Sequence, residues 1–194
     1  MTEAGAVERT LAAAAVELRR AGRPFALVGG LAVSMRAEVR FTRDVDIAVA
    51  VADDRDAESL VLSLGGRGYR PIASVEHEIR KRLSTVRLLS PQGIKLDLLF
   101  ASSGLEHEII SRASTFEFPG VGGIPVAEAE ELLAIKVLSM AERRLQDRID
   151  AQSLIACSAK LDLDRVRDNL RLIEERGFDR GEDLHAKLAT LLKR

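Results

Sequence analysis

Two aspartates stand one residue apart inside an apolar run, Asp44-Val-Asp46-Ile-Ala-Val49, and no other pattern constrains the fold of this chain as tightly. The run reads as a strand over residues 44–51. Residues two apart in a strand face the same side, roughly 6.6 Å from one another along the chain, so Asp44 and Asp46 project together. Carboxylates placed this way repel unless positive charge sits between them. A divalent metal is the usual answer, because hard cations prefer carboxylate oxygens. Upstream, residues 25–28 read as a short buried strand that ends in Gly29-Gly30. Two residues without side chains let another group, such as a phosphate, approach the backbone. A short helix over residues 31–38 opens from these glycines and leads to the aspartate strand.

A third carboxylate strengthens the case for a cation site. Ile94-Lys-Leu-Asp-Leu-Leu-Phe100 reads as a strand with Asp97 at its centre, where aspartate is disfavoured. If this strand lies beside residues 44–51, backbones about 4.8 Å apart bring Asp97 to the same face as Asp44 and Asp46. An unpaired buried carboxylate costs several kcal/mol, so three together without a cation would be hard to maintain. Three converging carboxylates hold two magnesium ions roughly 3.5–4 Å apart. Such a pair suits in-line attack of a hydroxyl on a nucleotide α-phosphate. Taken singly, Asp44 would also serve as a turn cap before a strand, and Asp97 would also face solvent from an edge strand.

The rest of the chain divides in two. Val7, Leu11, Ala14 and Leu18 fall at helical spacing, which predicts an amphipathic helix over about residues 3–21 that Gly22-Arg-Pro24 stops. A helix is expected over 53–64, capped by acidic residues and ended by Gly65-Gly66. Residues 82–89 and 94–100, joined by Ser90-Pro-Gln-Gly93, read as a hairpin. A helix over 105–112 and a short strand over 115–118 follow, then the turn-rich segment 119–123. After Pro125 strand signals stop, and helices are expected over about 127–145, 147–158, 163–175 and 182–193. We therefore expect an α/β core at residues 1–123 and a helical part at 124–194.

Of the 194 residues, 46% are apolar and 30% charged, with a net charge of -1. That balance supports a real core and argues against a generally basic nucleic-acid coat, so any nucleic-acid contact must come from local clusters. No uncharged stretch is long enough to span a bilayer, and residues 1–18 lack the basic start and apolar run of a secretory signal. The single cysteine, Cys157, excludes an intramolecular disulfide and fits a reducing, cytoplasmic setting, with the thiol expected to be a small buried apolar group in a helix. His77, His107 and His185 have no zinc-ligand spacing. With six Phe, one Tyr and no Trp, base stacking in the single-strand style has little support.

Gly29-Gly30, a short helix, Asp44-Val-Asp46 on a strand and Asp97 on a later strand resemble the pattern of the DNA polymerase β-like nucleotidyltransferases. More narrowly, Arg40-x-Thr42-x-Asp44-x-Asp46 is similar to the AbiEii/AbiGii toxin group and its MenT-like relatives. Ile124-Pro-Val126, Glu131-Leu-Leu-Ala-Ile-Lys136 and Asp147-Arg-Ile-Asp150 continue that similarity. The resemblance implies an α+β fold: a nucleotidyltransferase-type mixed β-sheet with flanking helices, followed by a C-terminal helical bundle. It implies transfer of a nucleoside monophosphate from a nucleoside triphosphate, with two Mg2+ ions on Asp44, Asp46 and Asp97, and Asp97 also as general base. Gly29 and Gly30 would lie near the triphosphate, with Gly30 where relatives carry serine. The helical part would add Lys136 and an aspartate, Asp150 being the better candidate than Asp147. The acceptor implied is the tRNA 3′ end, and a separate antitoxin protein would be the partner. A small-molecule acceptor of the aminoglycoside or lincosamide kind, and a non-catalytic nucleotide-binding module, are the alternatives.

Several supporting residues have two possible uses. Lys136 shares a helical face with Leu132 and Met140, and either snorkels to solvent or binds phosphate. Asp147 is a helix cap or a site residue, and Asp150 a site residue or the partner of Arg143, Arg144 or Lys136. Arg40 and Arg43 flank the acidic pair and either bind phosphate or pair on the surface. Thr42 bonds a phosphate or caps the strand. Arg80-Lys-Arg82, with Arg87 and Arg36, forms the strongest basic cluster, suited to an RNA backbone or simply a solvated face.

Overall fold

The computed structural model describes residues 3–76, 82–118, 121–141, 144–158 and 160–193. Helix α1 (Glu3–Arg20) precedes β1 (Phe25–Val28), α2 (Gly29–Arg36), β2 (Asp44–Val49), α3 (Asp54–Gly65), β3 (Arg70–Glu76), β4 (Leu83–Leu89) and β5 (Lys95–Leu99). Then come α4 (Glu106–Arg112), β6 (Ser114–Phe118), β7 (Gly122–Val126) and four helices, α5 (Ala129–Ser139), α6 (Leu145–Cys157), α7 (Leu163–Glu175) and α8 (Leu184–Leu192). Among the described residues the strands form one mixed sheet in the order β3-β4-β5-β2-β1-β7-β6. The expected α+β architecture, a mixed sheet followed by helices, is the one observed.

Helix ends follow local chemistry. Asp53 caps α3 by accepting from Asp56 N at 2.9 Å. Asp162 and Asp183 cap α7 and α8 in the same way, satisfying amides that have no partner within the helix. The buried face of α1 is the predicted one, Val7, Leu11, Ala14 and Leu18. In β2, Val45, Ile47 and Val49 are buried on the face opposite the aspartates, so the alternation of the strand separates core from site.

Two strands depart from expectation. β3 was not expected; it lies at the sheet edge with every residue exposed, so burial leaves no alternation to recognise. β7 runs through the segment read as a turn and contains the expected junction at 123/124. It pairs antiparallel with β6 and parallel with β1, a partner nearly a hundred residues earlier. Gly123 is there because a Cβ would sit 2.5 Å from Thr115 Cγ2 across the strand. Pro119 and Gly120, which belonged to that turn reading, lie outside the described residues, as do His77, Arg80 and Lys81. Cys157 ends α6 and is exposed rather than buried.

Helix α5 joins the sheet to the other helices, packing on α2, α6, α7 and α8. Leu132, Leu133, Ala134, Val137 and Leu138 bury nearly its whole circumference, as befits a helix enclosed on all sides. Its Glu131 is fully buried and accepts from Arg112 Nη1 (2.9 Å), Arg165 Nε (3.0 Å) and Asn169 Nδ2 (3.0 Å). One carboxylate thereby ties α4, α5 and α7 together. Removing one partner of such a group leaves the others uncompensated. Glu131→Ala should therefore lower unfolding free energy by about 3 kcal/mol in urea titrations; a midpoint equal to that of the parent would show that the three helices do not depend on this ion cluster.

Candidate functional site

The parallel pairing of β2 with β5 sets Asp44 opposite Lys95 and Asp46 opposite Asp97. Asp44, Asp46 and Asp97 therefore lie on one face of the sheet. They line a cleft of about 620 Å³ together with Ile109 of α4 and Ile135 and Leu138 of α5. Beside them β1 runs antiparallel to β2 with Val28 opposite Asp46, which delivers Gly29 and Gly30 to the same place. Gly29 has φ +66°, and a Cβ there would be 2.0 Å from Asp46 Oδ2. At Gly30 a Cβ would be 2.3 Å from Arg40 Nη2. The double glycine is thus required by close approach of an aspartate at one position and an arginine at the next.

The electrostatics of the three aspartates are unbalanced. The Asp46 carboxyl is pushed up to about 6, chiefly by burial and then by the charges of Asp97 and Asp44, against the opposing pull of Lys136 and Arg87. Arg87, which faces Asp97 across the β4–β5 hairpin, clasps both of its oxygens: Nε to Oδ1 at 2.7 Å and Nη2 to Oδ2 at 2.6 Å. This fork holds the Arg87 guanidinium protonated even more firmly than usual, mainly through the hydrogen bond to Asp97. Among the described residues no three metal-capable side chains stand close enough to hold an ion together. The donor chemistry still suits a hard divalent cation: clustered carboxylates, one of them pushed up to about 6, chiefly by burial and then by its like-charged neighbours. Asp44 and Asp46 fit such an ion directly, and Asp97 fits once the Arg87 fork turns away.

A second charged group flanks the first. Lys136 Nζ lies 2.9 Å from Asp147 Oδ1 and 2.7 Å from Asp150 Oδ2. Arg40 Nη2 donates to Asp150 Oδ2 at 2.9 Å, and Gln146 Nε2 to Asp150 Oδ1 at 2.8 Å. Burial alone would raise the Asp150 carboxyl, but the hydrogen bonds from Arg40, Lys136 and Gln146 outweigh it and hold the carboxyl below its ordinary value. Asp150 is only 1% exposed and stands behind Arg40 and Lys136, which themselves line the cleft with Asp147. Asp147 lies in the first turn of α6 rather than capping it.

Other candidates divide. Thr42 and Arg43 line the cleft; the Thr42 hydroxyl donates to its neighbour Asp44 O at 3.4 Å, and Arg43 lies over the Phe41 ring. Arg36 does not join a basic cluster. It caps carbonyls at the end of β7, donating to Val126 O and Ala127 O at 3.0 Å, and lies over Phe116. Arg87 does not present a free cation to a backbone either, because Asp97 takes its fork. Sequence reasoning missed the Arg87–Asp97 pair: a turn at 90–93 would set Arg87 opposite Leu96, and it is the Ser90 N to Ile94 O bond, leaving a turn over 91–93, that brings Asp97 across from it. Ser102, Ser103 and Glu106 also line the cleft; their amides and hydroxyls converge on Glu106 Oε1 at 2.8–3.0 Å. Arg180 enters it from the α7–α8 link, without any sequence signal.

A family model described as "Nucleotidyl transferase AbiEii toxin, Type IV TA system" matches residues 11–193. Among solved structures, an antigenic nucleotidyltransferase-like protein from Paracoccidioides brasiliensis aligns at 15% identity over 96% of this chain and 92% of its own, with a TM-score of 0.54. A lincosamide antibiotic adenylyltransferase aligns at 17% identity over 77% of this chain and 97% of its own, with a TM-score of 0.47. No curated protein sequence matches the chain.

The raised Asp46 carboxyl has a consequence for stability. The unfolded side chain titrates near 3.9 and the folded one near 6, so the charged form is a cost of folding. That cost is complete above about pH 6 and absent below about pH 4, where both states hold the proton. Without added metal, Asp46→Asn should raise unfolding free energy at pH 7.5 by on the order of 3 kcal/mol and give no gain at pH 4. Urea midpoints measured in chelator across this range check it; a gain independent of pH would assign the effect to something other than charge.

Proposed function

We propose metal-dependent nucleotidyl transfer for this chain, which belongs to the AbiEii nucleotidyltransferase toxin family. A nucleoside triphosphate is the donor and a hydroxyl, by preference that of a tRNA 3′ end, is the acceptor. The carrying observation is the register that sets Asp46 beside Asp97, with Gly29 held against Asp46. In the reaction the acceptor oxygen bonds to the α-phosphorus, the α–β phosphoanhydride bond breaks, pyrophosphate leaves, and Asp97 takes the hydroxyl proton. Asp44, Asp46 and Asp97 would hold Mg2+, two ions in all, which would lower the pKa of the attacking hydroxyl and neutralise charge on the leaving group.

The remaining roles follow from position. Gly29 and Gly30 open α2 and keep its first amides accessible to phosphate oxygens. Lys136 and Arg40 bring positive charge to the triphosphate, and Thr42 and Arg43 lie along the same wall. Asp150 acts through Lys136 and Arg40, holding both in place. Release of Asp97 from Arg87 accompanies metal loading in this scheme, and frees a second guanidinium for phosphate. An antitoxin protein is the expected partner. The family favours tRNA over a small-molecule acceptor, and the three mutually repelling carboxylates favour turnover over a non-catalytic binding module. Among the described residues no helix is long and apolar enough to cross a membrane.

Incubation with each labelled triphosphate, Mg2+ and total cellular RNA should label tRNA, and Asp46→Ala or Asp97→Ala should abolish that label while circular dichroism stays unchanged. Label in a small cationic acceptor and none in RNA would move the acceptor to the small-molecule class. Normal activity in either variant would remove that aspartate from the metal site. Lys136→Ala should weaken triphosphate binding about tenfold, in line with loss of one charge-assisted contact; unchanged affinity by calorimetry would take Lys136 out of the donor site.

A further inference from the structure

Among the described residues, Arg180 alone other than glycine has a positive φ, 60°. A side chain in that conformation is strained, and such strain persists where surrounding structure holds it in place. The link between α7 and α8 does hold it. Asp179 Oδ2 accepts from Gly181 N at 3.0 Å, closing a tight turn around Arg180. Phe178 packs so closely on Gly104 that a Cβ there would lie 2.7 Å from its ring. Arg176 forks onto Glu108 at 2.8 and 2.7 Å and bonds Gly104 O as well.

These contacts fix Arg180 at the lining of the cleft of the aspartates, and its guanidinium has no hydrogen bond or ion pair among the described residues. Its neighbours in the cleft are committed: Arg40 and Lys136 to Asp150, Arg87 to Asp97, and Arg144 to Asp147. The place of the Arg180 loop is also informative. Gly29 and Gly30 adjoin the start of β2, where Asp44 lies. Gly104 belongs to the loop after β5, beyond Asp97 and Leu99. The Arg180 loop is therefore docked at the end of the cleft away from the glycine turn.

We infer that Arg180 binds a phosphodiester group of a nucleic-acid acceptor, outside the triphosphate site, and so sets acceptor specificity. This rests on the nucleotidyl-transfer reading, in which the triphosphate occupies the glycine end. A planar fork of N–H donors matches phosphate oxygens, and an unneutralised arginine at the acceptor end selects an anionic acceptor over a cationic one. The strained backbone is kept for that guanidinium and not for packing.

The decisive variants are Arg180→Gly, which relieves the backbone, and Arg180→Lys, which keeps charge without the fork. Steady-state transfer to RNA should show KM for RNA raised about tenfold in Arg180→Gly, with KM for the triphosphate and kcat within about twofold of the parent. The slope of RNA affinity against salt should fall by about 1, and Arg180→Lys should recover part of the affinity. Arg180→Gly should melt no lower than the parent, which a packing role would not allow. Anisotropy with a labelled single-stranded RNA oligonucleotide and the full chain gives a second readout independent of turnover. An unchanged RNA affinity and salt slope in Arg180→Gly would overturn the inference, as would an equal rise in KM for the triphosphate. Turnover on a small cationic acceptor without RNA binding would also overturn it, leaving the transfer reading intact. RNA binding that depends on Arg180 without turnover on any acceptor would uphold the phosphodiester contact but overturn the transfer reading, and with it the role in acceptor choice.

Discussion

The repulsion between Asp46 and Asp97 is the interaction around which the rest of the molecule is arranged. Parallel pairing of β2 and β5 puts the two carboxylates side by side on one sheet face, with Asp44 one step away. Each can be ionised there only if positive charge compensates it. Arg87 neutralises Asp97 from the neighbouring strand, and the Asp46 carboxyl is left near 6 by burial and its neighbours. A metal-free protein carrying this arrangement gives up stability to keep it. Such a cost is expected where function, rather than packing, selects the residues.

The helical half supplies the counterweight. Lys136 comes from α5, and Asp147 and Asp150 from α6; Arg40 comes from the loop before β2 and closes the group against Gly30. This ion network joins the two parts at the wall of the cleft, so the geometry around the aspartates depends on helix packing. Glu131 fixes the same helix from its other side through Arg112, Arg165 and Asn169. A helix buried on nearly every side and pinned by charges at two points is a rigid support for Lys136 at the cleft wall.

Much of the site was readable before any coordinates because strand alternation is strict. Asp44 and Asp46 had to share a face, and an aspartate in the middle of an apolar strand had to answer to something. The hairpin was also readable, but counting outward from a turn at 90–93 pairs Arg87 with Leu96; the Ser90 N to Ile94 O bond shortens the turn by one residue and sets Arg87 opposite Asp97 instead. The arginine was grouped with the basic run beside it. Arg36 was grouped there too, but its fork closes over the Val126 and Ala127 carbonyls. Charge along a sequence gives no direction to a long side chain. Asp150 shows the same limit: its spacing on α6 put it near Lys136, while its burial behind Arg40 and Lys136 came from the packing of three elements.

Local pattern was sufficient for the strand–glycine–helix–strand unit, the central hairpin and the helical character of the second half, because each depends on periodicity and turn chemistry within a few residues. It was not sufficient for β7 beside β1, for the edge strand β3, or for the position of Arg180. Those depend on contacts between residues far apart in the chain, where a strand exists because a partner lies beside it and an arginine enters a cleft because Phe178 is seated on Gly104. Short-range preferences choose the elements; long-range packing chooses what they face.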